Sequence, residues 1–153
     1  MRIVLIAVLA VFLGCSDKRD ARVDPMVAAM KACPGDAELE CARPILNVSN
    51  LRAAQSYYRD QLGFKIDWDH GDPPDFGAVS RSSLTLFMCQ QCQGHPGAWV
   101  FTFAHDVDKL HTEFVQRHAK IRMPPTNMSW GIREMHVEDL DGNVIRFGGP
   151  VEH

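Results

Sequence analysis

Short apolar stretches separated by turn residues run from residue 44 to residue 148. Alternation of apolar and polar positions predicts strands over 44–48, 64–68, 76–79, 83–88 and 99–104. Between the first two strands, apolar residues recur at helical spacing from Leu51 to Leu62, with Asn50 placed to cap the start and Gly63 to end the helix. The pattern therefore predicts strand, helix and three further strands, with residues 70–75 as a loop.

The second half of the chain repeats this order. Asp106 is placed to cap a helix whose apolar face contains Val107, Leu110 and Phe114. A short strand is predicted over 120–122, a loop over 124–127 and a hairpin over 130–148. Ile45, Val48, Leu51 and Tyr58 match Phe101, Ala104, Val107 and Phe114 at one constant offset, which indicates two copies of the same unit.

The closing hairpin is the most informative segment. It reads W-G-x-R-E from Trp130 to Glu134 and D-x-D-G-N-x-x-x-F from Asp139 to Phe147. Together with the stretch YYRDQLGF over 57–64, this pattern resembles the glyoxalase/bleomycin-resistance protein/dioxygenase superfamily, also called the vicinal oxygen chelate superfamily. The likeness covers roughly residues 42–149 and is nearest to the bleomycin-resistance-like branch.

The resemblance implies an α+β fold in which two βαβββ modules form a curved mixed sheet with a cleft, over a domain spanning 41–150. It also implies a homodimer whose partner helps to close the cleft.

The N-terminal segment predicts export. Arg2 precedes an uninterrupted apolar run from Ile3 to Gly14, which is too short to span a bilayer and is typical of a signal-peptide core. The Gly14-Cys15 junction resembles a bacterial lipobox, so we expect a signal peptide over 1–14, a lipid on Cys15 and a tether over 15–40. The alternatives are ordinary cleavage and an uncleaved anchor. The expected location is lipid-anchored and periplasm-facing, on the outer membrane if the host has one.

The chain has five cysteines, and lipidation of Cys15 would leave Cys33, Cys41, Cys89 and Cys92. In an oxidising compartment these four can form two disulfides, and Cys33–Cys41 with Cys89–Cys92 is the simplest pairing. For the C-x-x-C motif over 89–92, free thiols and a metal site are the alternatives. A net charge of −3 and a pI near 6.1 give no basic footprint for nucleic acid.

Three positions would carry metal ligands if this chain followed the metal-dependent branch. The resemblance places them at Arg43, within 97–99 and at Arg146. A guanidinium group stays protonated and cannot ligate a metal. The sequence therefore predicts no metal, no cofactor and no catalytic residue, and favours a binding protein over an enzyme.

The alternating residues Glu134, His136 and Glu138 share one strand face, with Met135 and Val137 on the other. We interpret them as a polar, half-exposed face. The alternative is a divalent-metal enzyme, a glyoxalase-like lyase, an isomerase or a dioxygenase, with a displaced site built from His136, Glu134 and His95. An interaction module without a small ligand is a third possibility.

Aromatic residues occupy most predicted strands or their ends, and about two-thirds are expected in the core; they are Trp68, Phe76, Phe87, Trp99, Phe101, Phe103 and Trp130. We expect Trp99, Phe101 and Trp130 to line an apolar slot for a small planar or cationic organic molecule. Glu134 and His136 are its predicted polar groups, because a carboxylate beside aromatic faces attracts a cation.

Overall fold

The computed structural model describes residues 41–151, which form two βαβββ modules. The signal peptide, Cys15, the tether and Cys33 lie outside these residues. The first module contains β1 (Ile45–Val48), α1 (Leu51–Leu62), β2 (Lys65–Gly71), β3 (Pro74–Arg81) and β4 (Leu84–Gln90). The second contains β5 (Trp99–Phe103), α2 (Val107–Gln116), β6 (Ile121–Asn127), β7 (Ile132–Glu138) and β8 (Val144–Pro150).

Each module builds a four-stranded mixed sheet, in the orders β1-β4-β3-β2 and β5-β8-β7-β6. The first strand of each module lies parallel to the last, and the remaining pairs are antiparallel. The predicted α+β fold with two repeated modules is therefore confirmed. No helix within residues 41–151 is long and apolar enough to cross a membrane.

The helix boundaries follow from their caps. Asn50 Oδ1 accepts the backbone N–H of Ala53 at 2.9 Å, and Asp106 Oδ1 accepts that of Lys109 at 2.7 Å. Gly63 ends α1 in the left-handed region, at φ 67°, which favours glycine because it has no Cβ. Both predicted helix starts and the end of α1 are confirmed.

The loop predicted over 70–75 is shorter than expected, and the loop predicted over 124–127 is wrong, because those residues belong to a strand. β2 continues to Gly71 and β3 begins at Pro74, while β6 runs through Pro124 and Pro125 to Asn127. β6 is an edge strand, and its register with β7 is irregular between Met123 and Thr126. An edge strand tolerates proline because the missing N–H faces away from the ladder, so the prolines interrupt the pairing without ending the strand.

A disulfide joins Cys89 and Cys92, as the sequence predicted. Cys89 lies at the buried end of β4, and Cys92 is exposed in the loop that leads towards β5. The pairing of Cys33 with Cys41 stays a prediction, because Cys33 is outside the described residues.

The turn between β7 and β8 links the two modules. The carboxylate of Asp139 accepts the backbone N–H groups of Asp141 and Asn143 at 2.9 and 2.8 Å, and the Tyr58 hydroxyl of α1 at 3.2 Å. Burial raises the pKa of Asp139, although these hydrogen bonds oppose the rise. The turn thereby fixes the second module against the helix of the first.

The side chain of Asn143 completes this link. Its Nδ2 donates to the Asn47 carbonyl at 3.1 Å and to Asp139 Oδ2 at 2.8 Å, and its Oδ1 accepts the Ala98 N–H at 3.0 Å. Asn143 is fully buried, so these polar groups have no access to water. The D-x-D-G-N motif is therefore a structural junction at the meeting point of β1, β5 and β8.

Replacing Asn143 with alanine should lower the free energy of unfolding by about 2–4 kcal/mol, because three hydrogen bonds are lost and buried partners are left unsatisfied. Urea denaturation at pH 7 measures the loss. Gln116→Ala, on the exposed end of α2, is the control and should change the stability by less than about 0.5 kcal/mol. Equal stability of the two variants would contradict the junction.

Candidate functional site

One face of the second sheet is lined by aromatic side chains that are open to solvent. Trp99, Phe101 and Phe103 alternate along β5 and are 53%, 40% and 80% exposed, whereas Val100 between them is buried on the opposite face. That opposite face joins the hydrophobic core, which contains Phe114 of α2 and Phe147 of β8. We call the open face, with its residues Trp99, Phe101, Phe103, Glu134, His136 and Arg146, the aromatic cup.

The expectation that about two-thirds of the strand aromatics lie in the core is wrong. Of the seven, Trp68 alone is buried, Phe76 and Phe87 are half-buried, and the other four are exposed. The reason is that alternation along β5 places its aromatic residues on the face away from α2, where no element of the described chain covers them.

Glu134 lies at the centre of the cup and is only 1% exposed. Its Oε2 accepts hydrogen bonds from Arg146 Nη2 at 2.6 Å and Arg146 Nε at 3.2 Å. Its Oε1 accepts the indole N–H of Trp130 at 2.9 Å. His136 Nε2 lies 3.4 Å from Oε2. One carboxylate thus organises side chains from β7, β8 and the loop before β7.

The interpretation of 134–138 as a half-exposed polar face is wrong for Glu134, which is buried. Burial alone would raise the pKa of Glu134, but the hydrogen bonds from Arg146, Trp130 and His136 outweigh it and lower the pKa below its usual value. The group is therefore a carboxylate at neutral pH. Met135 and Val137 do face the core, as predicted.

The five predicted ligand-binding residues lie together on this one face. The ring of Trp99 meets that of His136 edge-on at 5.4 Å, and the Arg146 guanidinium lies 5.6 Å from the centre of the Phe101 ring. Trp130 is joined to these residues by its hydrogen bond to Glu134. Alternation predicts which side chains share a face within β5 and within β7, whereas the choice of Trp130 and Glu134 depended on the hairpin motif.

Two contributions were missed by sequence reasoning. Arg122 of β6 reaches across the curved sheet to lie 5.3 Å from the centre of the Trp99 ring. Gly148 makes room for Phe101, because a Cβ at this position would lie 2.5 Å from Phe101 Cζ. The glycine pair at 148–149 is visible in the sequence and could have indicated a close approach by another side chain. The contact of Arg122 with Trp99 could not be predicted in this way, because it depends on sheet curvature.

The positions that resemble metal-ligand sites hold no chelating cluster. Within residues 41–151, no three His, Cys, Asp or Glu side chains are grouped so that they could hold a metal ion. His95 stands in an exposed loop and does not complete a set with Glu134 and His136. Arg146 is instead the ion-pair partner of Glu134.

The predicted preference for a cationic ligand depended on an uncompensated carboxylate. In the structure, the charge of Glu134 is met by Arg146, and the faces of Trp99 and Phe101 already have a guanidinium group over them. A cationic ligand would therefore compete with Arg146 and Arg122 for these groups, and the preference stays a prediction.

Two cavities in the described part of the chain lie beside the cup, and Glu134 lines neither of them. A cavity of about 340 Å³ borders Phe103 and Ile132 at the cup's rim and is mostly apolar. A larger groove of about 510 Å³ runs between the β3–β4 turn and the start of α2. We place the candidate site on the cup because that is where exposed aromatic rings and a buried charge coincide, and the rim cavity extends its apolar surface.

The described residues thus form a two-module α+β protein whose second sheet carries an open aromatic face. The profile of the family described as "Glyoxalase superfamily protein" matches residues 27–153. The chain therefore belongs to the glyoxalase superfamily. Among curated proteins, no sequence matches significantly.

Solved structures of similar fold include a bleomycin-binding protein and a lactoylglutathione lyase. The bleomycin-binding protein of Streptomyces verticillus, complexed with copper(II)-bleomycin, is 25% identical with a TM-score of 0.61, over 76% of this chain and 99% of that one. TioX from Micromonospora sp. ML1 is 17% identical with a TM-score of 0.62, over 72% and 100%. Lactoylglutathione lyase from Agrobacterium tumefaciens is 18% identical with a TM-score of 0.59, over 76% and 95%.

Replacing Glu134 with glutamine should lower the free energy of unfolding by about 1–3 kcal/mol at pH 7, because a charge-assisted hydrogen-bond network is weakened. The pKa of Glu134 is lowered by folding, so its contribution is present above about pH 4.3 and is lost as the pH falls through the lower folded value. The stability gap between the wild type and Glu134→Gln should therefore shrink on acidification.

Urea denaturation between pH 7 and pH 3 measures that gap. Asp75→Asn, which removes an exposed carboxylate from β3, is the matched control and should show a small difference at pH 7. A gap for Glu134→Gln that stays constant over the whole range would show that Glu134 is not the paired carboxylate described here.

Proposed function

We propose that this protein is an exported, metal-free binding protein for a small planar organic molecule, which it holds in the aromatic cup. One observation carries the proposal: the Glu134–Arg146 ion pair lies at the centre of a solvent-open aromatic face. Exposed aromatic rings beside a few fixed polar groups are the usual composition of a small-molecule site.

The charge at position 146 argues for binding without a metal. A guanidinium group close to a would-be divalent ion would repel it; two like unit charges at 4 Å repel by about 4 kcal/mol at an effective dielectric constant of 20. Glu134, the natural oxygen donor in the cup, is already engaged by that guanidinium at 2.6 Å. Metal binding would require the ion pair to break.

The aromatic rings supply the binding energy. Covering about 200 Å² of apolar surface would contribute about 5 kcal/mol before the entropy of association is subtracted. Trp130, fixed by its bond to Glu134, and Trp99, held against His136, are already oriented in the free protein. Such preorganisation lowers the entropy lost on binding. The solved bleomycin-binding relative supports small-molecule binding by this fold.

A metal-dependent enzyme is the second candidate, because Glu134 and His136 are metal-ligand residue types in contact with each other. A lactoylglutathione lyase has the same fold, which supports this second candidate. The metal content of the purified protein separates the two candidates.

Neutral 2-naphthamide is the probe for binding, measured by isothermal titration calorimetry. Trp99→Ala should weaken its binding at least about tenfold, because a stacking surface is removed. Val115→Ala, which truncates an exposed apolar residue on α2 outside the cup, should bind like the wild type. Elemental analysis should find well under one transition-metal equivalent per chain.

Two results would contradict the proposal. One is a stoichiometric transition metal whose removal abolishes a catalytic rate, which would favour the enzyme. The other is 2-naphthamide binding that Trp99→Ala leaves unchanged, which would place the site elsewhere.

Export, lipid attachment at Cys15 and a homodimer are further parts of the proposal. The apolar run before Gly14-Cys15 supports the first two. The exposed rings of Trp99, Phe101, Phe103 and Trp130 support the third, since a large uncovered apolar patch commonly marks an interface.

A Cys15→Ser variant expressed in a bacterium with lipoprotein processing should leave the membrane fraction, because the lipid acceptor thiol is lost. Its soluble form should sediment as two chains in analytical ultracentrifugation. Ser16→Ala is the control and should stay with the membrane. Unchanged membrane association of Cys15→Ser would contradict the lipid anchor, and a monomer at micromolar concentration would contradict the dimer.

A further inference from the structure

We propose that the ligand of the aromatic cup carries an anionic group on its planar body, a carboxylate being the simplest example. This inference rests on the proposed function and specifies its ligand class.

The charges that face the cup are the first observation behind it. Arg146 and Glu134 balance each other at 2.6 Å. Glu138, the neighbouring carboxylate on β7, faces both Lys120 at 2.6 Å and Arg122 at 3.0 Å. Three cations therefore meet two carboxylates, and one positive charge is in excess.

The two arginines retain hydrogen-bonding capacity. Arg122 donates to Glu138 through Nη1, and Arg146 donates to Glu134 through Nε and Nη2. Within residues 41–151, Nε and Nη2 of Arg122 and Nη1 of Arg146 donate to no protein acceptor. The two side chains are 49% and 32% exposed, so a ligand can reach them. A guanidinium group prefers planar oxyanions, which it binds through parallel N–H donors.

The arginines also lie beside the rings that would hold the ligand. Arg122 lies over Trp99 and Arg146 over Phe101, at 5.3 and 5.6 Å from the ring centres. A planar ligand stacked against the exposed part of either ring would bring a substituent at its edge to a guanidinium group. The aromatic rings would thus contact the planar body of the ligand, and the free N–H donors would contact its anionic group.

A cationic ligand would find the carboxylates of the site already paired. To reach Glu134 it would have to displace Arg146, and to reach Glu138 it would have to displace Arg122 or Lys120. It would also compete with those arginines for the faces of Trp99 and Phe101. The two carboxylates and the rings of Trp99 and Phe101 are therefore already paired with cations of the protein.

Three probes with the same ring system separate charge from shape: 2-naphthoate, neutral 2-naphthamide and cationic 2-naphthamidine. In calorimetric titrations at pH 7 and low salt, 2-naphthoate should bind about tenfold more tightly than 2-naphthamide, because one charge-assisted contact is gained. The amidine should bind most weakly. The advantage of the carboxylate should decrease as salt is raised, since partly exposed charges are screened.

Arg122→Gln is the decisive variant, because Glu138 keeps Lys120 as a partner and the fold should persist. It should remove most of the carboxylate's advantage, measured within the variant as the ratio of the 2-naphthamide and 2-naphthoate dissociation constants. Arg52→Gln, which removes an exposed arginine from α1 in the first module, is the matched control and should retain the advantage.

The outcomes distinguish this inference from the proposed function. Binding of 2-naphthamide with no preference for 2-naphthoate, with a preference for the amidine, or with equal effects of the two arginine variants would overturn the anionic ligand and leave the aromatic cup in place. If none of the three probes binds, the proposed function itself fails, and this inference fails with it.

Discussion

A carboxylate enclosed by protein must have a partner, and the ion pair of Glu134 with Arg146 meets that requirement at the centre of the cup. Removing an unpaired charge from water costs several kcal/mol, so the geometry around Glu134 tolerates little change. Donors arrive from β8, from His136 on the same strand and from Trp130 before the strand. The positions of the aromatic rings therefore depend on an electrostatic constraint as well as on packing.

The hydrophobic core and the aromatic cup lie on opposite faces of the second sheet. The face towards α2 carries Met135, Ile145 and Phe147 and merges with the core of the first module. The turn at Asp139 and Asn143 adds polar bonds to Tyr58 and Asn47 across the module boundary. The core and this junction hold the sheet from one side. The sheet therefore does not need the rings on its other side to be buried, and these rings can stay exposed to solvent.

Local patterns in the sequence predicted the order of elements, both helix starts, and the faces shared by Glu134 with His136 and by Trp99 with Phe101, because spacing along a strand determines which way side chains point. They could not predict how much each face is covered. Glu134 was expected to be half-exposed, and its burial depends on Arg146 and Trp130 folding over it. The same limit applies to Arg122, whose contact with Trp99 exists only because the sheet curves. The sequence predicts a loop at Pro124 and Pro125, because the edge position of β6 is a tertiary property that local patterns do not contain.

Under the proposed function, Arg146 provides the positive charge that a metal ion would provide, but it lacks the ion's Lewis acidity. A guanidinium group supplies a permanent positive charge and directional donors, so it can orient an oxyanion as a metal ion would. It has no vacant coordination position and cannot polarise a bound oxygen as a Lewis acid does. A cup built around Glu134 and Arg146 would therefore orient an anionic group electrostatically but would supply no Lewis acid to activate it. The exposed rings of Trp99 and Phe101 then supply affinity through burial, and the charge decides which planar molecules are accepted.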